Sequence, residues 1–421
     1  MLFEKTTLNN GLRLITHAMP HTRSVSICIF LAVGSRYETG AEAGISHFIE
    51  HLCFKGTPKR ATPKDIAAAI EGVGGILNAA ADRELTLYWC KVAQPHFLLA
   101  LDVLADILLN SKLDPADIER ERQVIIEEIH AIKDSPYQRV SMLTDELLWP
   151  DHPLGRDVAG NEESVLSITQ DMITGFLAGR YLPASTVVAI AGDIQHEGVV
   201  GAVNEAFGGW SGQQPAGGYL AHEERPNPRL GMEVRDTEQT HLCLALPGLP
   251  LLHPKRYALD LLNTILGEGM SSRLFVEIRD NLGLAYSIHS YVEHLHDTGA
   301  MIIYAGVEHE KLPVAIKAIL EQLASLYKPV SNSELTKVKE LSKGRLLLRM
   351  EDSRSVAGWA GGQEILTNRI LSVDQVVSII DAITAEQVVE VAQELIVEDR
   401  LRLAVVGPVK DGDELKGLLR L

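Results

Sequence analysis

Apolar and polar residues follow helical and strand periods along most of the chain, and the order of the predicted elements repeats. Each half contains a helix, a strand and a second helix, predicted at 45–54, 85–92 and 97–110 in the first half and at 257–267, 300–307 and 312–326 in the second. Each half also closes with a short β-branched strand that runs into glycine, at 186–193 and 402–408. This repetition indicates two similar α+β domains in tandem, and the periodicity leaves their strand order open.

A break in this periodicity separates the two halves. Residues 211–231 are rich in glycine, proline and polar side chains and have no apolar repeat, which is typical of a linker. The sequence therefore predicts an N-terminal domain at 1–210, a linker at 211–231 and a C-terminal domain at 232–421. The length of 421 residues is compatible with two or more domains.

Composition and charge narrow the choice of function. The chain is 46% hydrophobic and 23% charged, as in globular proteins, and its formal charge of −17 disfavours binding to nucleic acid or to an anionic membrane surface. The first residues lack a signal-peptide pattern, and the early apolar stretch 27–33 is far shorter than the roughly 20 residues that span a bilayer. The four cysteines are widely spaced, as free thiols in a reducing compartment often are. We therefore expect a cytoplasmic protein without nucleic-acid or membrane partners.

Three residues of the first predicted helix carry candidate chemistry. His47, Glu50 and His51 stand at helical positions i, i+3 and i+4, so both imidazoles and the carboxylate project from one face. Two histidines at this spacing suit Zn²⁺, although a lone histidine pair is more often structural or solvated. The glutamate between them favours zinc, because burial of three ionisable groups without metal or partners would cost several kcal/mol. Catalytic zinc takes three protein ligands, so a third must come from elsewhere in the chain.

A second predicted helix, at 117–133, offers that third ligand. Glu121 and Glu128 are seven residues apart and share one stripe of the helix, whereas Glu127 lies about 100° around the helix from Glu128. One inward carboxylate would bind the metal, and another would orient a ligand histidine through its free ring nitrogen. Helix geometry alone leaves the choice among these acids open.

The order H-x-x-E-H at residues 47–51 is the inverted form of the zincin motif. Together with other blocks, it resembles the pitrilysin and mitochondrial processing peptidase family of zinc metallopeptidases, in its two-domain bacterial form. The resemblance runs over nearly the whole chain, in the blocks 34–38 (GSRYE), 44–57 (GISHFIEHLCFKGT), 77–89 (LNAAADRELTLYW), 119–129 (ERERQVIIEEI) and 271–287 (SSRLFVEIRDNLGLAYS).

The resemblance implies a metal site with one Zn²⁺ per chain. His47 and His51 would be two of the zinc ligands, and Glu128 would be the third, selected from the acids of the second helix. Glu50 would be the catalytic base that accepts the proton of the attacking water, and Glu121 would be the acid that orients a ligand histidine.

The resemblance also implies residues that contact the substrate. Asn78 and Ala79 match the edge-strand positions at which the family pairs with the substrate backbone. Arg279 and Tyr286 match an arginine and tyrosine pair that contacts the substrate near the scissile carbonyl.

The implied architecture consists of two α/β-sandwich domains per chain, and two chains would enclose a clamshell chamber. The partner would be a second copy of the chain, or a paralogue that lacks the zinc motif in a heterodimer. The implied function is that of a zinc-dependent endopeptidase acting on peptides or unfolded segments. A non-catalytic structural subunit and a peptide-binding subunit are the alternatives, and the identity of the substrate stays open.

Overall fold

The computed structural model of the chain describes residues 3–212, 218–224, 228–409 and 411–421. Part of the predicted linker, 213–217 and 225–227, lies outside these described residues. Every helix within the described ranges is too short or too polar to cross a membrane. The domain boundaries at 210 and 232 stay a prediction.

Contacts within the chain divide it into two compact units. The first unit takes in the described residues of Met1–Ile129, Asp157–Leu220 and Leu347–Val373, and the second takes in those of His130–Arg156, Ala221–Leu346 and Asp374–Leu421. The strands are β1 (Glu4–Thr7), β2 (Arg13–Ala18), β3 (Ser24–Leu31), β4 (Ile76–Ala81), β5 (Thr86–Ala93), β6 (Thr186–Gly192), β7 (Leu230–Val234), β8 (Thr240–Pro247), β9 (Ala285–His294), β10 (Gly299–Val307) and β11 (Arg402–Gly407).

The α-helices include both those predicted from the sequence and those that connect them. They are α1 (Ile45–Cys53), α2 (Pro63–Glu71), α3 (Phe97–Leu109), α4 (Pro115–Asp134), α5 (Pro136–Leu148), α6 (Glu162–Ser167), α7 (Gln170–Arg180), α8 (His196–Phe207), α9 (Arg256–Gly267), α10 (Leu312–Ser325), α11 (Asn332–Arg349), α12 (Ser353–Thr367), α13 (Val373–Ala382), α14 (Ala385–Leu395) and α15 (Gly412–Leu418). A π-helical turn, Phe275–Asn281, precedes β9.

The first unit contains a mixed sheet in the order β1-β2-β6-β3-β5-β4. Strands β2 and β6 are parallel, and the other neighbours are antiparallel. The central strands β3 and β6 are rich in β-branched residues and are buried along nearly their whole length, as expected for strands covered on both faces. Strand β4 lies at the edge of the sheet, where its outer side is left for other contacts.

The second unit repeats this topology. Its sheet has the order β7-β11-β8-β10-β9, with β7 and β11 parallel and the other neighbours antiparallel. Without β1, the first sheet has the same order of connections, because β2, β6, β3, β5 and β4 correspond in turn to the strands of the second sheet. The predicted fold class of two similar α/β domains in tandem is confirmed.

Each unit also includes one helix from the opposite half of the chain. Helix α12 packs on β2, β3 and β6 in the first unit, and α5 packs on β7, β8 and β11 in the second. The contact on α12 is close, because a Cβ atom added at Gly361 would lie 2.3 Å from the ring of Phe30 and 2.9 Å from the Cβ atom of Ala189. The glycine therefore sets how near this helix approaches the sheet.

We predict that Gly361→Ala destabilises the protein whereas Gly362→Ala does not. The added methyl at Gly361 would overpack the helix against the sheet, an effect that usually costs about 1–3 kcal/mol. At Gly362 an added Cβ meets nothing within 4 Å, so the higher helix propensity of alanine should stabilise the fold by up to about 1 kcal/mol. Thermal denaturation followed by circular dichroism compares the two variants. Equal melting temperatures would show that the close approach of α12 does not limit the residue at position 361.

Candidate metal centre

Helix α1 begins at a fixed point because its first turn is capped by a buried carboxylate. Glu38 accepts hydrogen bonds from the backbone N–H groups of Gly44 and Ser46, both at 2.8 Å, which satisfies donors that a helix N-terminus leaves free. Gly44 has a φ of 93°, and a Cβ atom there would lie 2.4 Å from the carbonyl oxygen of Ala159. The start of the helix thus depends on a glycine and on an acid of the GSRYE block.

The apolar face of α1 holds it in the core of the first unit. Ile45, Phe48, Ile49 and Leu52 are fully buried, and their spacing is that of one helix face. This packing directs the remaining face, which carries the H-x-x-E-H side chains, away from the core. The amphipathic pattern read from the sequence therefore accounts for the orientation of the candidate ligands.

The structure brings His47, His51 and Glu128 together. One ligand atom from each lies within 4.8 Å of the others, and Glu128 Oε2 is 3.8 Å from Nε2 of His47 and 3.7 Å from Nε2 of His51. In a tetrahedral zinc site with bonds of 2.0–2.2 Å, neighbouring ligand atoms are about 3.3 to 3.6 Å apart. A small movement of the half-exposed Glu128 side chain would close this difference. Glu127 is exposed and does not belong to the group.

The chemistry of these side chains fits a zinc ion. Burial and the neighbouring His51 lower the pKa of His47 to about 4, so its ring is neutral near pH 7 and offers a lone pair. The Nδ1 atom of His47 is buried and has no hydrogen-bond partner among the described residues, an unsatisfied state that is uncommon in native proteins. Two imidazoles and a carboxylate form a donor set typical of catalytic zinc.

His51 is oriented by an acid and a lysine. Its Nδ1 lies 3.1 Å from Oε2 of the buried Glu121, whose other oxygen pairs with Nζ of Lys55 at 2.7 Å. A proton on Nδ1 that is donated to Glu121 leaves the Nε2 lone pair on the side of Glu128, as in many metal-bound histidines. Sequence reasoning proposed Glu121 and missed Lys55. The available signal was its charge and its position four residues after His51.

Glu50 is tied to the edge strand of the sheet. Its Oε2 accepts a hydrogen bond of 2.7 Å from the backbone N–H of Ala81, the last residue of β4. Burial raises the pKa of Glu50, against the opposing effects of this hydrogen bond and of His51. A partly desolvated carboxylate is a stronger base than an exposed one, as a general base requires. Sequence reasoning did not identify the contact with Ala81.

The predicted substrate-binding residues Asn78 and Ala79 lie on the same strand as Ala81. The N–H of Ala79 donates to the side-chain oxygen of Asn78 at 2.8 Å. Because β4 is an edge strand, a further strand can add to its outer side, where it would take the place of the Asn78 side chain on the N–H of Ala79. Such a strand would lie next to the residue that holds Glu50.

Arg279 and Tyr286 lie side by side in the second unit. The Arg279 guanidinium is 4.8 Å from the centre of the Tyr286 ring, and the tyrosine side chain is 77% exposed. Both residues line an open pocket of about 590 Å³, together with Gln239 and Gly306. The exposed phenol of Tyr286 and the partly exposed guanidinium of Arg279 are hydrogen-bond donors on the wall of this pocket.

Comparisons with known proteins agree with this organisation. The sequence profile described as insulinase (peptidase family M16) matches residues 13–162, and the profile described as peptidase M16 inactive domain matches residues 167–342. The chain is 38% identical to an uncharacterized zinc protease of Mycobacterium leprae, over 99% of this chain and 94% of that protein. It is 35% identical to the uncharacterized zinc protease YmxG of Bacillus subtilis, over 97% of this chain and 98% of that protein. The crystal structure of a protease from Helicobacter pylori shares the fold with a TM-score of 0.91 at 24% identity, covering 97% of this chain and 99% of that one.

We predict that Glu121→Gln and Lys55→Met both weaken zinc binding without abolishing it. Loss of a group that orients a metal-bound histidine typically lowers metal affinity by about 10- to 100-fold. Affinity is measured by competition with a chromophoric zinc chelator. The matched control is Lys64→Met, which removes an exposed lysine on α2. Equal zinc affinity in all four proteins would show that the contact between Glu121 and His51 does not support the site.

Proposed function

Because the chain belongs to peptidase family M16, as the resemblance predicted, we propose that it is a zinc-dependent endopeptidase that hydrolyses peptides or unfolded polypeptide segments. The observation that carries this proposal is the placement of His47, His51 and Glu128 around one point, with Glu50 on the same helix face. The names of the relatives as zinc proteases support it at the level of the family.

In this proposal His47, His51 and Glu128 hold one Zn²⁺. When bound, zinc would lower the pKa of water to roughly 7 and polarise the substrate carbonyl. Glu50 accepts the proton of the attacking water and then donates it to the leaving amine. The hydrogen bond from Ala81 fixes the Glu50 carboxylate during both transfers.

The remaining predicted residues position the substrate. An extended peptide adds to the edge strand β4 at Asn78 and Ala79, which aligns its backbone beside Glu50. Tyr286, assisted by Arg279, donates a hydrogen bond to the oxyanion that forms at the scissile carbonyl. Removal of one such donor commonly costs about 3 to 4 kcal/mol of transition-state stabilisation.

We propose a dimer in which each active site is composite. The metal centre of one subunit would be completed by Arg279 and Tyr286 of the partner subunit. This chain carries both parts, so a homodimer suffices, and a heterodimer with a motif-lacking paralogue is the other arrangement. We place the protein in the cytoplasm, which the buried and unpaired state of its four cysteines supports.

The alternative function is that of a non-catalytic structural or peptide-binding subunit. The second profile match carries the description of an inactive domain, which favours a non-catalytic role for residues 167–342. The first unit retains the three candidate ligands and the candidate base Glu50, which a purely structural subunit does not need. The endopeptidase is therefore the better supported function.

We predict that the purified chain binds zinc and cleaves a mixed pool of unfolded peptides, and that chelation of the metal abolishes cleavage. Glu50→Gln should retain zinc and lose activity by about 10²- to 10⁴-fold, the usual contribution of a general base. Glu127→Gln, an exposed acid next to Glu128, is the matched control and should keep its activity. Metal analysis and mass spectrometry of the products provide the readout. Bound zinc without cleavage would favour the peptide-binding subunit, and absence of both zinc and cleavage would favour the non-catalytic structural subunit.

We predict that mixing a Glu50→Gln chain with a Tyr286→Phe chain restores cleavage that each variant lacks alone. A mixed dimer with composite sites has one site with both mutations and one intact site, so random assortment yields about a quarter of the wild-type activity. The chains are mixed under conditions that allow subunit exchange, and exchange is verified by native mass spectrometry. Mixed dimers without recovered activity would contradict composite sites while leaving the zinc mechanism intact.

A further inference from the structure

A small cavity of about 240 Å³ lies at one end of the sheet in the second unit. It is bounded where β8 ends and where β10 and β11 begin, and Tyr286 lies at the opposite end of β9. Leu148 and Trp149, which follow each other at the end of α5, form an apolar wall, and Arg400 and Arg402 also line the cavity. Its volume is below the usual 300–1,000 Å³ of ligand pockets, so only a small molecule fits.

The cavity contains a buried arginine that forms no close ion pair among the described residues. Arg402 is 8% exposed, and its Nη1 donates only to the backbone oxygens of Asp399 and Leu401, at 2.8 and 3.0 Å. Among the described residues, no carboxylate lies within 4 Å of its guanidinium. Burial, followed by the proximity of Arg229, lowers the pKa of Arg402. Carbonyl groups satisfy some of its N–H donors. The charges of Glu224 and Asp399, which lie beyond ion-pair distance, oppose the effects of burial and of Arg229 but do not outweigh them. The charge of Arg402 is therefore only partly compensated, which is unfavourable in a buried position.

Arg229 is a second guanidinium whose charge acts on Arg402. Its Nη2 donates to the backbone oxygens of Glu398 and Leu419 at 2.8 and 2.7 Å, and no carboxylate pairs with it among the described residues. Two neighbouring guanidiniums that are bonded only to carbonyls repel each other. An anion placed next to Arg402 would relieve that repulsion.

The two acids that line the cavity have partners other than Arg402. Glu224 pairs with Arg400 at 3.3 Å and is largely exposed, and Asp297 accepts a hydrogen bond of 2.8 Å from the backbone N–H of His222. These two carboxylates would repel a ligand that carries two negative charges, such as phosphate. They would repel a ligand with a single negative charge less strongly.

We propose that this cavity binds a small organic acid with one carboxylate and a short apolar tail. The planar carboxylate matches the fork of N–H donors on Arg402, and the tail contacts Leu148 and Trp149. The position of the cavity in the second unit, away from Arg279 and Tyr286, makes this binding independent of the proposed peptidase function.

Isothermal titration calorimetry of the full chain tests the proposal, with sodium butyrate as the probe and with sodium phosphate and sodium chloride at matched ionic strength. We expect saturable binding of one butyrate per chain and at least tenfold weaker binding of the other anions. Arg402→Met should weaken butyrate binding by about tenfold or more, since a charge-assisted hydrogen bond is lost. Arg420→Met removes an exposed arginine of the same unit and should leave the affinity unchanged.

A second measurement locates the ligand even where Arg402→Met fails to fold. In the wild-type chain, nuclear Overhauser effects from the butyrate methyl group should reach the indole of Trp149. Arg400→Met, at a partly exposed position, should also weaken binding, because it releases Glu224 to compete for Arg402. The proposal is overturned by absence of saturable butyrate binding, by phosphate binding as tightly as butyrate, by equal affinity of Arg402→Met and Arg420→Met, or by bound butyrate without contact to Trp149.

Discussion

A helix that is packed into a protein core and carries two imidazoles and a carboxylate needs a partner for each of those groups. In this chain the partners come from separate elements: Glu121 for His51, the backbone of Ala81 for Glu50, and Glu128 beside both imidazoles. Without them, desolvation of the ionisable groups would oppose the packing of α1. The positions of α4 and β4 relative to α1 therefore matter for the stability of the first unit as well as for its chemistry.

Negatively charged side chains outnumber positively charged ones around the metal-facing side of α1. Glu50, Glu121 and Glu128 bring three carboxylates together, and Lys55 supplies the positive charge that pairs with one of them. The ring of His47 is neutral near pH 7 because its pKa is lowered to about 4. A divalent cation next to Glu128 would balance the remaining negative charge and would be attracted by it, since electrostatic interactions are strong in a partly desolvated site. The charge balance and the geometry of the donor atoms thus both favour a divalent metal ion.

Those parts of the site that depend on local geometry could be predicted from the sequence. The H-x-x-E-H spacing places its three side chains on one helix face, and the seven-residue spacing places Glu121 and Glu128 on one stripe of α4, whatever the rest of the fold. The hydrogen bond from Ala81 and the ion pair of Lys55 with Glu121 could not be predicted in this way. They join segments that are far apart in sequence, and their formation depends on how those segments pack.

The same distinction applies to the fold. The repeated order of helices and strands predicted two similar domains, because periodicity is a property of each element by itself. The strand order and the packing of α12 on β3 and β6 depend on contacts between distant residues. At Gly361, the absence of a side chain permits the close approach, and a glycine in a helical pattern does not indicate from sequence alone what it will face.

A comparison of the two similar units shows which features of helix α1 the fold needs and which belong to the candidate metal centre. Helix α9 occupies in the second unit the place that α1 has in the first, between the corresponding strands β8 and β9. It buries apolar residues along most of its length and carries no H-x-x-E-H motif; its acid Asp260 instead pairs with His294 of the neighbouring strand. The two helices thus share a buried apolar face, which the common topology requires, whereas their polar faces differ. A candidate metal centre in one copy of the fold and exposed donors in the other are two uses of a single architecture, so the fold alone does not determine the function.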